Sequence, residues 1–530
     1  MPIPLTNGPG VYIQELPNPV QPIVGVPTSV AAFYGPAPQG IVDFPFQVNS
    51  WGDYENQFGG LDRGYPLSYA VYLFFLNGGT TALVVRYNDG TLPASAKLSQ
   101  DTTLVANSPG AWAEQLTATV DMNNLFDASG NTFNLTITQT GGAVEFYPAA
   151  NLSKGSPQYL ATLLTASQFV DPAASTIGST VPKVVPPATV KVEFTLPSSA
   201  APAPASGQPA DGAGTPPAAA TGTQSSTGTV DPISLGNSDQ ATGIYALLKA
   251  DIFNILCLPY DPSTDYDPGL MKQNLDAAAA FCTQQRAMLI VDPPRAWTQI
   301  APPLQFPTIS GNQPLTAASP NAAVYYPNLV VTDITGANFN VGPCGAVAGV
   351  WAATDSSRGV WKAPAGTAAT ITGITDLTVH VDDRESGILN PLAVDALRTM
   401  PAVGPVVWGA RTTVGLDQLP NQWKYLPVRR LALYIEESLR RGTQWSVFEP
   451  NDEPLWSSLR LNVTTFMQGL FAQGAFAGTT PAQAYLVQCD ANNNPPAQVD
   501  LGIVNILVGF APLYPAEFVI INIQQQADQA

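Results

Sequence analysis

Short apolar runs separated by helical segments dominate two stretches of the chain. Residues 252–258 read as a buried strand, residues 268–285 show helical periodicity after a starting proline, and residues 288–291 are again apolar. Residues 66–76 and 82–87 repeat the helix-to-strand order, with Asn-Gly-Gly between them as a helix-ending signal. A strand, a helix and a strand with short connections form a βαβ unit, whose strands are parallel. The sequence therefore predicts an α/β body with a partly parallel sheet.

Helices with distinct faces are predicted further along the chain. Residues 345–353 are rich in glycine and alanine, which predicts a helix packed closely against its neighbours. In residues 428–441 the apolar positions recur every three to four residues, and Glu436 and Glu437 each stand four residues before an arginine. A second apolar stripe covers residues 455–470. The last two segments therefore predict a pair of amphipathic helices near the C terminus.

Strand-like segments lie close to both ends of the chain. Residues 10–16 alternate apolar and polar positions before two prolines, and residues 484–489, 501–508 and 518–523 also have strand-like patterns. A lone strand at a chain end is not stable without a sheet to join. The strands at 10–16 and 518–523 are therefore expected to pair with their own domain or with a neighbouring molecule.

The segment between about residues 89 and 239 has a different character. Residues 116–120 and 133–139 alternate like β-strands, whereas 198–228 consist almost entirely of Ala, Pro, Gly, Ser and Thr, a composition that cannot bury a core. A small β-rich domain inserted into the α/β body is the simplest explanation. The predicted organisation is a linking strand and arm (1–25), a first core part (26–90), the inserted domain (91–238, with a linker at 198–231), a second core part (239–420) and a C-terminal domain (421–530).

The amino-acid composition limits the kinds of partner that the protein can have. Only 11% of the residues are charged, roughly half of the usual ~25%. Such a surface is easily desolvated, because few charges lose their water at a contact, and it suits a subunit with many neighbours. The net charge of −18 argues against nucleic acid as a partner, because phosphate binding requires clustered Lys and Arg.

Cysteine usage and the apolar runs bear on the compartment. The four cysteines are far apart without metal-ligand spacing, which favours buried thiols in a reducing compartment over disulfides. The first residues lack a secretion-signal pattern, and no stretch qualifies as a membrane span. We therefore expect a protein that is made in the cytoplasm and does not insert into a membrane.

Candidate catalytic chemistry is sparse. His380, in a strand-like run, is the only histidine and has no accompanying nucleophile motif, which favours a structural role over a Ser-His-Asp triad. Asp382, Asp383 and Glu385 could supply the paired carboxylates of a glycoside hydrolase, although a solvated loop is the favoured interpretation. Residues 490–494 resemble a calcium loop but lack its closing glutamate, which favours a turn. The sequence therefore predicts no enzyme activity, no cofactor and no metal site.

Several motifs, in one order along the chain, resemble the contractile tail-sheath family. They are PGVY at 9–12, NGG at 77–79, VVR at 84–86, WGART at 408–412, RRL at 429–431, YIEES at 434–438, WSVFEPN at 445–451, LW at 455–456 and APLYPAEF at 511–518. The resemblance covers roughly residues 9–90 and 240–525. Residues 100–170 resemble the inserted β-rich domain of the family only loosely, and 172–238 match nothing in it.

The resemblance implies a structural protein and not an enzyme. In this family the subunits stack as six-membered rings into a helical sleeve around an inner tube, and contraction of the sleeve drives the tube through a target envelope. The implied fold is a multidomain mixed α/β (α+β) fold with a sheath core, terminal strands exchanged between subunits and an inserted β-rich domain facing outward. The implied partners are other copies of the chain, the inner tube protein, and baseplate and tail-terminator proteins of a phage tail or phage tail-like particle.

The resemblance also implies which residues make the joints, since both chain ends complete a sheet in neighbouring subunits of this family. The implied linking strands contain Val11, Tyr12, Ile13, Gln14 and Glu15 at one end and Phe518, Val519, Ile520, Ile521, Asn522 and Ile523 at the other. Tube contact is expected from a C-terminal helix through Arg460, Thr464, Met467, Gln468 and Gln473. Two alternatives stay open: a surface- or glycan-binding role of the inserted domain, and a carbohydrate-active hydrolase that uses the acidic cluster near residue 383.

Overall fold

A computed structural model describes most of the chain. The described residues are 21–87, 92–123, 125, 132–182, 189–197, 235–261, 267–294, 297 and 314–518. The predicted strand at 10–16 and the predicted linker at 198–231 lie outside these residues.

The secondary structure alternates between helices and short strands. The strands are β1 (Ala31–Gly35), β2 (Phe46–Val48), β3 (Ala82–Arg86), β4 (Ser95–Lys97), β5 (Thr103–Val105), β6 (Leu116–Asp121), β7 (Thr132–Gln139), β8 (Val144–Asn151), β9 (Val190–Glu193), β10 (Ile255–Cys257), β11 (Met288–Val291), β12 (Ala322–Tyr326), β13 (Leu329–Thr332), β14 (Asn338–Val341), β15 (Asp376–Leu377), β16 (Val394–Met400), β17 (Gly404–Val407), β18 (Tyr485–Gln488) and β19 (Leu507–Phe510). The helices are α1 (Trp51–Phe58), α2 (Pro66–Leu76), α3 (Leu160–Leu163), α4 (Pro268–Gln285), α5 (Cys344–Arg358), α6 (Asp383–Leu389), α7 (Leu426–Gly442), α8 (Glu453–Ala472), α9 (Pro481–Ala484) and α10 (Pro496–Val499).

The chain divides into two compact units, and neither is continuous in sequence. The smaller unit comprises Met1–Thr28, Ser357–Ala363 and Tyr425–Ala530, and the larger comprises Ser29–Ser356 and Pro364–Lys424. Among the described residues, no helix is long and apolar enough to cross a membrane.

The larger unit is built around an eight-stranded sheet with the order β17-β16-β12-β11-β10-β1-β3-β2. The six strands from β16 to β3 in this order pair in parallel, and the edge strands β17 and β2 pair antiparallel. Strands β1, β3, β10, β11 and β12 are buried at every position, as expected of strands covered on both faces. The predicted βαβ unit is confirmed, because β10, α4 and β11 follow one another and the two strands are parallel neighbours.

Helices α2 and α5 approach each other at two glycines of α5. A Cβ atom on Gly345 would lie 2.1 Å from the carbonyl oxygen of Ala70, and one on Gly349 would lie 2.5 Å from that of Phe74. Only glycine permits so close an approach to a neighbouring backbone. The prediction that residues 345–353 form a closely packed helix is therefore confirmed.

A separate apolar core lies between residues 94 and 196 of the larger unit. Here β8, β7, β6 and β9 form an antiparallel sheet in that order. The strands predicted at 116–120 and 133–139 are confirmed as β6 and β7. A β-rich module thus occupies this part of the chain, while its boundaries at 91 and 238 stay a prediction.

Arg86, at the end of β3, connects the first strands to the start of this β-rich module. Its Nε donates to the carbonyl oxygen of Ala37 at 2.9 Å, Nη1 donates to that of Gly40 at 2.8 Å, and Nη2 donates to that of Pro109 at 2.8 Å. A buried guanidinium satisfies several loop carbonyls at once because its donors form a rigid fork.

The smaller unit packs α7 and α8 against β18 and β19 around its own apolar core. Residues 21–28 belong to this core: Ile23 is buried beside Gly442 at the end of α7, where an added Cβ would lie 2.6 Å from its Cγ2. The backbone N–H of Val26 donates to the Ser438 hydroxyl at 3.1 Å. Ile23 and Val26 thereby hold residues 21–28 against helix α7.

The two amphipathic helices predicted near the C terminus are confirmed as α7 and α8. On α7, Arg441 Nε donates to Glu437 at 2.7 Å, as the spacing predicts, and Arg440 Nε donates to the same carboxylate at 2.8 Å. Glu436 lies 3.5 Å from Arg429 Nη1, about two turns earlier on the helix. Glu437 therefore pairs with both arginines in the last turn of α7.

Strand predictions near the C terminus and around His380 are only partly correct. Of residues 501–508 only the last two are in a strand, β19, and β18 begins after the short helix α9. Phe518 is not in a strand, and the remainder of 518–523 lies outside the described residues. His380 follows the two-residue strand β15 and lies outside any strand.

Candidate subunit interface

The residues considered for catalysis serve local structure. Asp382 caps α6 by accepting the Glu385 N–H at 2.7 Å, and Glu385 accepts the Asp382 N–H at 3.0 Å, which completes a capping box. Asp383 pairs with Arg398 Nη2 at 2.7 Å. His380 Nε2 lies 3.5 Å from an exposed carboxylate, Asp376 Oδ2. The solvated loop predicted at 382–385 is thus the start of a capped helix.

The predicted turn at residues 490–494 is confirmed. The Asp490 carboxylate accepts the Asn492 N–H at 2.8 Å, and this bond lowers the pKa of Asp490. Asn494 lies in the same turn, where its N–H donates to the Asp490 carbonyl oxygen at 3.0 Å. Among the described residues, no group of three or more His, Cys, Asp or Glu is placed to hold a metal ion.

The feature best suited to an interaction is the sheet formed by β18 and β19. The two strands are antiparallel, with Tyr485 opposite Phe510 and Gln488 opposite Leu507. Tyr485, Val487, Val508 and Phe510 face inward and pack against the core of the smaller unit. One face of this short sheet is therefore held in place by the helices beneath it.

Both outer edges of this sheet lack a further strand within the described part of the chain. A strand edge presents a row of backbone N–H and C=O groups that can pair with another chain. The outer face carries exposed apolar side chains, since Leu486 is 54% and Leu507 51% exposed. The sheet therefore has the geometry of an acceptor for added strands.

The sequence analysis predicts two linking strands, but it does not predict this sheet as the place where they would add. Val11, Tyr12, Ile13, Gln14 and Glu15 lie outside the described residues, as do Val519, Ile520, Ile521, Asn522 and Ile523. Phe518 is described and is 77% exposed. The available signal for this sheet was the pair of strand-like patterns at residues 484–489 and 501–508.

Helix α8 places the residues expected to contact a tube on different sides. Gln468 and Gln473 are exposed, and Arg460 and Thr464 are half-buried. Met467 is fully buried in the core of the smaller unit, so the expectation that its side chain faces a tube is wrong. The apolar stripe of a helix packs inward, and Met467 lies on that stripe.

The sequence and the fold were compared with known proteins. Residues 418–526 match the family model of the phage tail sheath C-terminal domain. The tail sheath protein of Enterobacteria phage T4 is 26% identical over 155 residues, which are 29% of this chain and 22% of the T4 protein. The matched part therefore spans well under half the length of that relative.

Solved structures share the fold over nearly the whole chain. The anti-feeding prophage helical sheath in its contracted state gives a TM-score of 0.56 at 21% identity and covers 98% of this chain and 100% of its own. A sheath tail protein of Listeria innocua gives a TM-score of 0.56 at 15% identity, with 93% and 96% covered. The mixed α/β fold and the resemblance to sheath proteins are confirmed, and these relatives are structural proteins rather than enzymes.

Proposed function

Since this chain carries a phage tail sheath C-terminal domain and has the fold of contractile sheath proteins, we propose that it is a structural subunit of a contractile tail sheath. Copies of the chain would stack as six-membered rings into a helical sleeve around an inner tube. Contraction of the sleeve would drive the tube through a target envelope. This function requires no catalytic residue and no cofactor.

The observation that carries the proposal is the two-stranded sheet of β18 and β19, whose two edges pair with no further strand among the described residues and which lies inside the part that matches the sheath family model. Residues 11–15 of one neighbour and 518–523 of another would add to these edges and extend the sheet between subunits. Main-chain hydrogen bonds do not depend on side-chain identity, so such joints hold while the bodies that they connect change orientation.

The low charge of the chain supports the same mechanism. Contraction must exchange one set of contacts between subunits for another, and uncharged surfaces are desolvated at low cost in both states. A gain of about 1 kcal/mol per subunit, the scale of one hydrogen bond, would reach about 100 kcal/mol over a hundred subunits. Assembly on the tube would hold the sleeve in the extended state of higher free energy until contraction is triggered.

Electron microscopy of terminal truncations tests this function. The full chain should form striated sleeves or hollow tubes in negative stain, alone or on tubes from the native particle. A variant lacking residues 1–16 should remain a folded monomer, by circular dichroism and light scattering, and form no tubes. The matched control lacks residues 524–530, which follow the predicted linking strand, and should assemble like the full chain.

Two outcomes would contradict the proposal at different levels. Normal tubes from the variant without residues 1–16 would rule out strand addition by this segment as the joint. Monomers from the full chain under all conditions, including in the native particle fraction, would rule out the sheath function itself.

A further inference from the structure

The loop between α7 and α8 presents an aromatic side chain that makes no contribution to its own subunit. Phe448 is 102% exposed and has φ of 72°, in the left-handed region. For a non-glycine residue this conformation costs roughly 1–2 kcal/mol, and a bulky side chain rarely adopts it. Because the ring is fully exposed, the free subunit gains no stability from burying it. A position that costs stability in the free subunit suggests a contact with another molecule.

Short hydrogen-bonded turns fix the loop in this conformation. The Val447 N–H donates to the Gln444 carbonyl oxygen at 3.3 Å, and the Glu449 N–H donates to that of Ser446 at 3.2 Å. The backbone of Phe448 is therefore fixed by one turn that ends just before it and a second turn that contains it, so little backbone entropy would be lost on binding.

A second loop lies beside the first and adds to the same apolar surface. Asn451 Nδ2 donates to the Ile503 carbonyl oxygen at 3.0 Å, and Trp456 Nε1 donates to Asn451 Oδ1 at 2.8 Å. Leu501 is 75% exposed next to this contact. We call the exposed side chains of Val447, Phe448, Leu501 and Ile503 the Phe448 patch.

Carboxylates border the Phe448 patch. Glu449, Asp452 and Asp500 are exposed beside it, whereas Glu453 is partnered by Arg460 at 3.5 Å. The complementary partner is an apolar pocket rimmed by Lys and Arg. Another copy of this chain is poorly suited, because it carries 39 acidic against 21 basic residues. The charges therefore favour a different protein.

We infer that the Phe448 patch docks into a basic-rimmed apolar pocket on the inner tube protein. This inference rests on the proposed sheath function, which supplies the tube as the protein that every subunit meets. It places the tube contact on the α7–α8 loop and its neighbouring loop, instead of on the exposed side of α8. Phe448 is the anchor, and the carboxylates orient it.

Cosedimentation with tubes purified from the native particle tests the inference. Phe448→Gly removes the ring and relieves the backbone, since glycine adopts this φ freely. It should weaken tube binding at least about tenfold, while the urea midpoint of the monomer stays equal or rises. Phe448→Tyr should restore binding. Leu419→Ser, at an exposed leucine of the larger unit, is the control and should bind like the wild type.

The remaining outcomes separate this inference from the proposed function. Wild-type tube binding by Phe448→Gly would overturn the inference and leave the sheath function intact. Loss of tube-free self-assembly in this variant would also overturn it, because the patch would then contact a second copy. A lower urea midpoint would assign Phe448 a structural role. A wild-type chain that neither assembles nor binds tubes would overturn the sheath function and the inference with it.

Discussion

Asp292 is a buried carboxyl group at the end of β11 whose protonation should affect folding. Its Oδ1 accepts the Cys344 N–H at the start of α5 at 2.7 Å. Its Oδ2 is buried and has no hydrogen-bond partner among the described residues, and an added Cβ on Gly342 would lie 2.1 Å from it. Burial raises the pKa of Asp292 to about 7, although the hydrogen bonds with Cys344 act in the opposite direction. The native state therefore holds this proton more tightly than the unfolded chain does.

The sign of the resulting pH dependence follows from linkage. The pKa of an aspartate in the unfolded chain is about 3.9. The contribution of Asp292 to the free energy of unfolding is therefore fully present below about pH 4 and is lost as the pH rises through 7. Where the folded and unfolded states differ by one bound proton, the free energy of unfolding falls by about 1.4 kcal/mol per pH unit. Asp292→Asn should remove this part of the pH dependence, because asparagine does not titrate. Urea unfolding from pH 4 to 8 should show wild type losing stability relative to the variant.

A matched control separates Asp292 from the other carboxylates. Asp239→Asn, at an exposed position of the same unit, should leave the pH dependence of the unfolding free energy unchanged. Parallel pH curves for wild type and Asp292→Asn would mean that Asp292 is charged in the folded protein at neutral pH.

At the scale of elements, the contact between α2 and α5 depends on the absence of side chains. Gly349→Ala places a methyl group 2.5 Å from the Phe74 carbonyl oxygen and 2.7 Å from Asn77 Cβ, so the helices must move apart. Overpacking of this kind costs about 1–3 kcal/mol, which urea denaturation would detect as a lower midpoint.

The control for this change is another helical glycine. Gly469→Ala lies on α8, where an added Cβ meets nothing within 4 Å, and should stabilise by about 0.5–1 kcal/mol. Destabilisation by Gly469→Ala, or an unchanged midpoint for Gly349→Ala, would contradict the interpretation of the helix contact.

Helices were predicted more accurately than strands because their end signals are local. Pro66 and Asn77 bracket α2, and Asp267 caps α4 through its side chain while Arg286 ends it in the left-handed conformation. A strand has no comparable signal, because its limits depend on the partner with which it pairs. Residues 501–508 have a strand-like pattern throughout, yet only the residues that lie opposite β18 form a strand. For the same reason the pairing of β18 with β19 became visible only in the structure.

At the scale of the whole molecule, the sequence could not predict which segments of the chain form the smaller unit. Its core joins Ile23 to α7 across more than four hundred positions, and no local pattern signals a contact of that sequence separation. The motifs did predict the sheath-like fold, since several of them occur in one order. The Phe448 conformation was also invisible in the sequence, where WSVFEPN shows only that an aromatic residue precedes an acidic one.

The net charge of −18, combined with only 11% charged residues, predicts how self-assembly should respond to salt. Copies of the chain repel one another over long range, and salt shortens that range from about 10 Å at 0.1 M to about 3 Å at 1 M. Contacts between largely uncharged surfaces lose little when ion pairs are screened. When NaCl is raised from about 0.05 to 0.5 M, the fraction of the chain that pellets as tube-free assemblies should therefore stay constant or increase. Binding to purified tubes through the acidic border of the Phe448 patch should fall over the same range. A fall in both would mean that ion pairs also hold the subunits of the sleeve together.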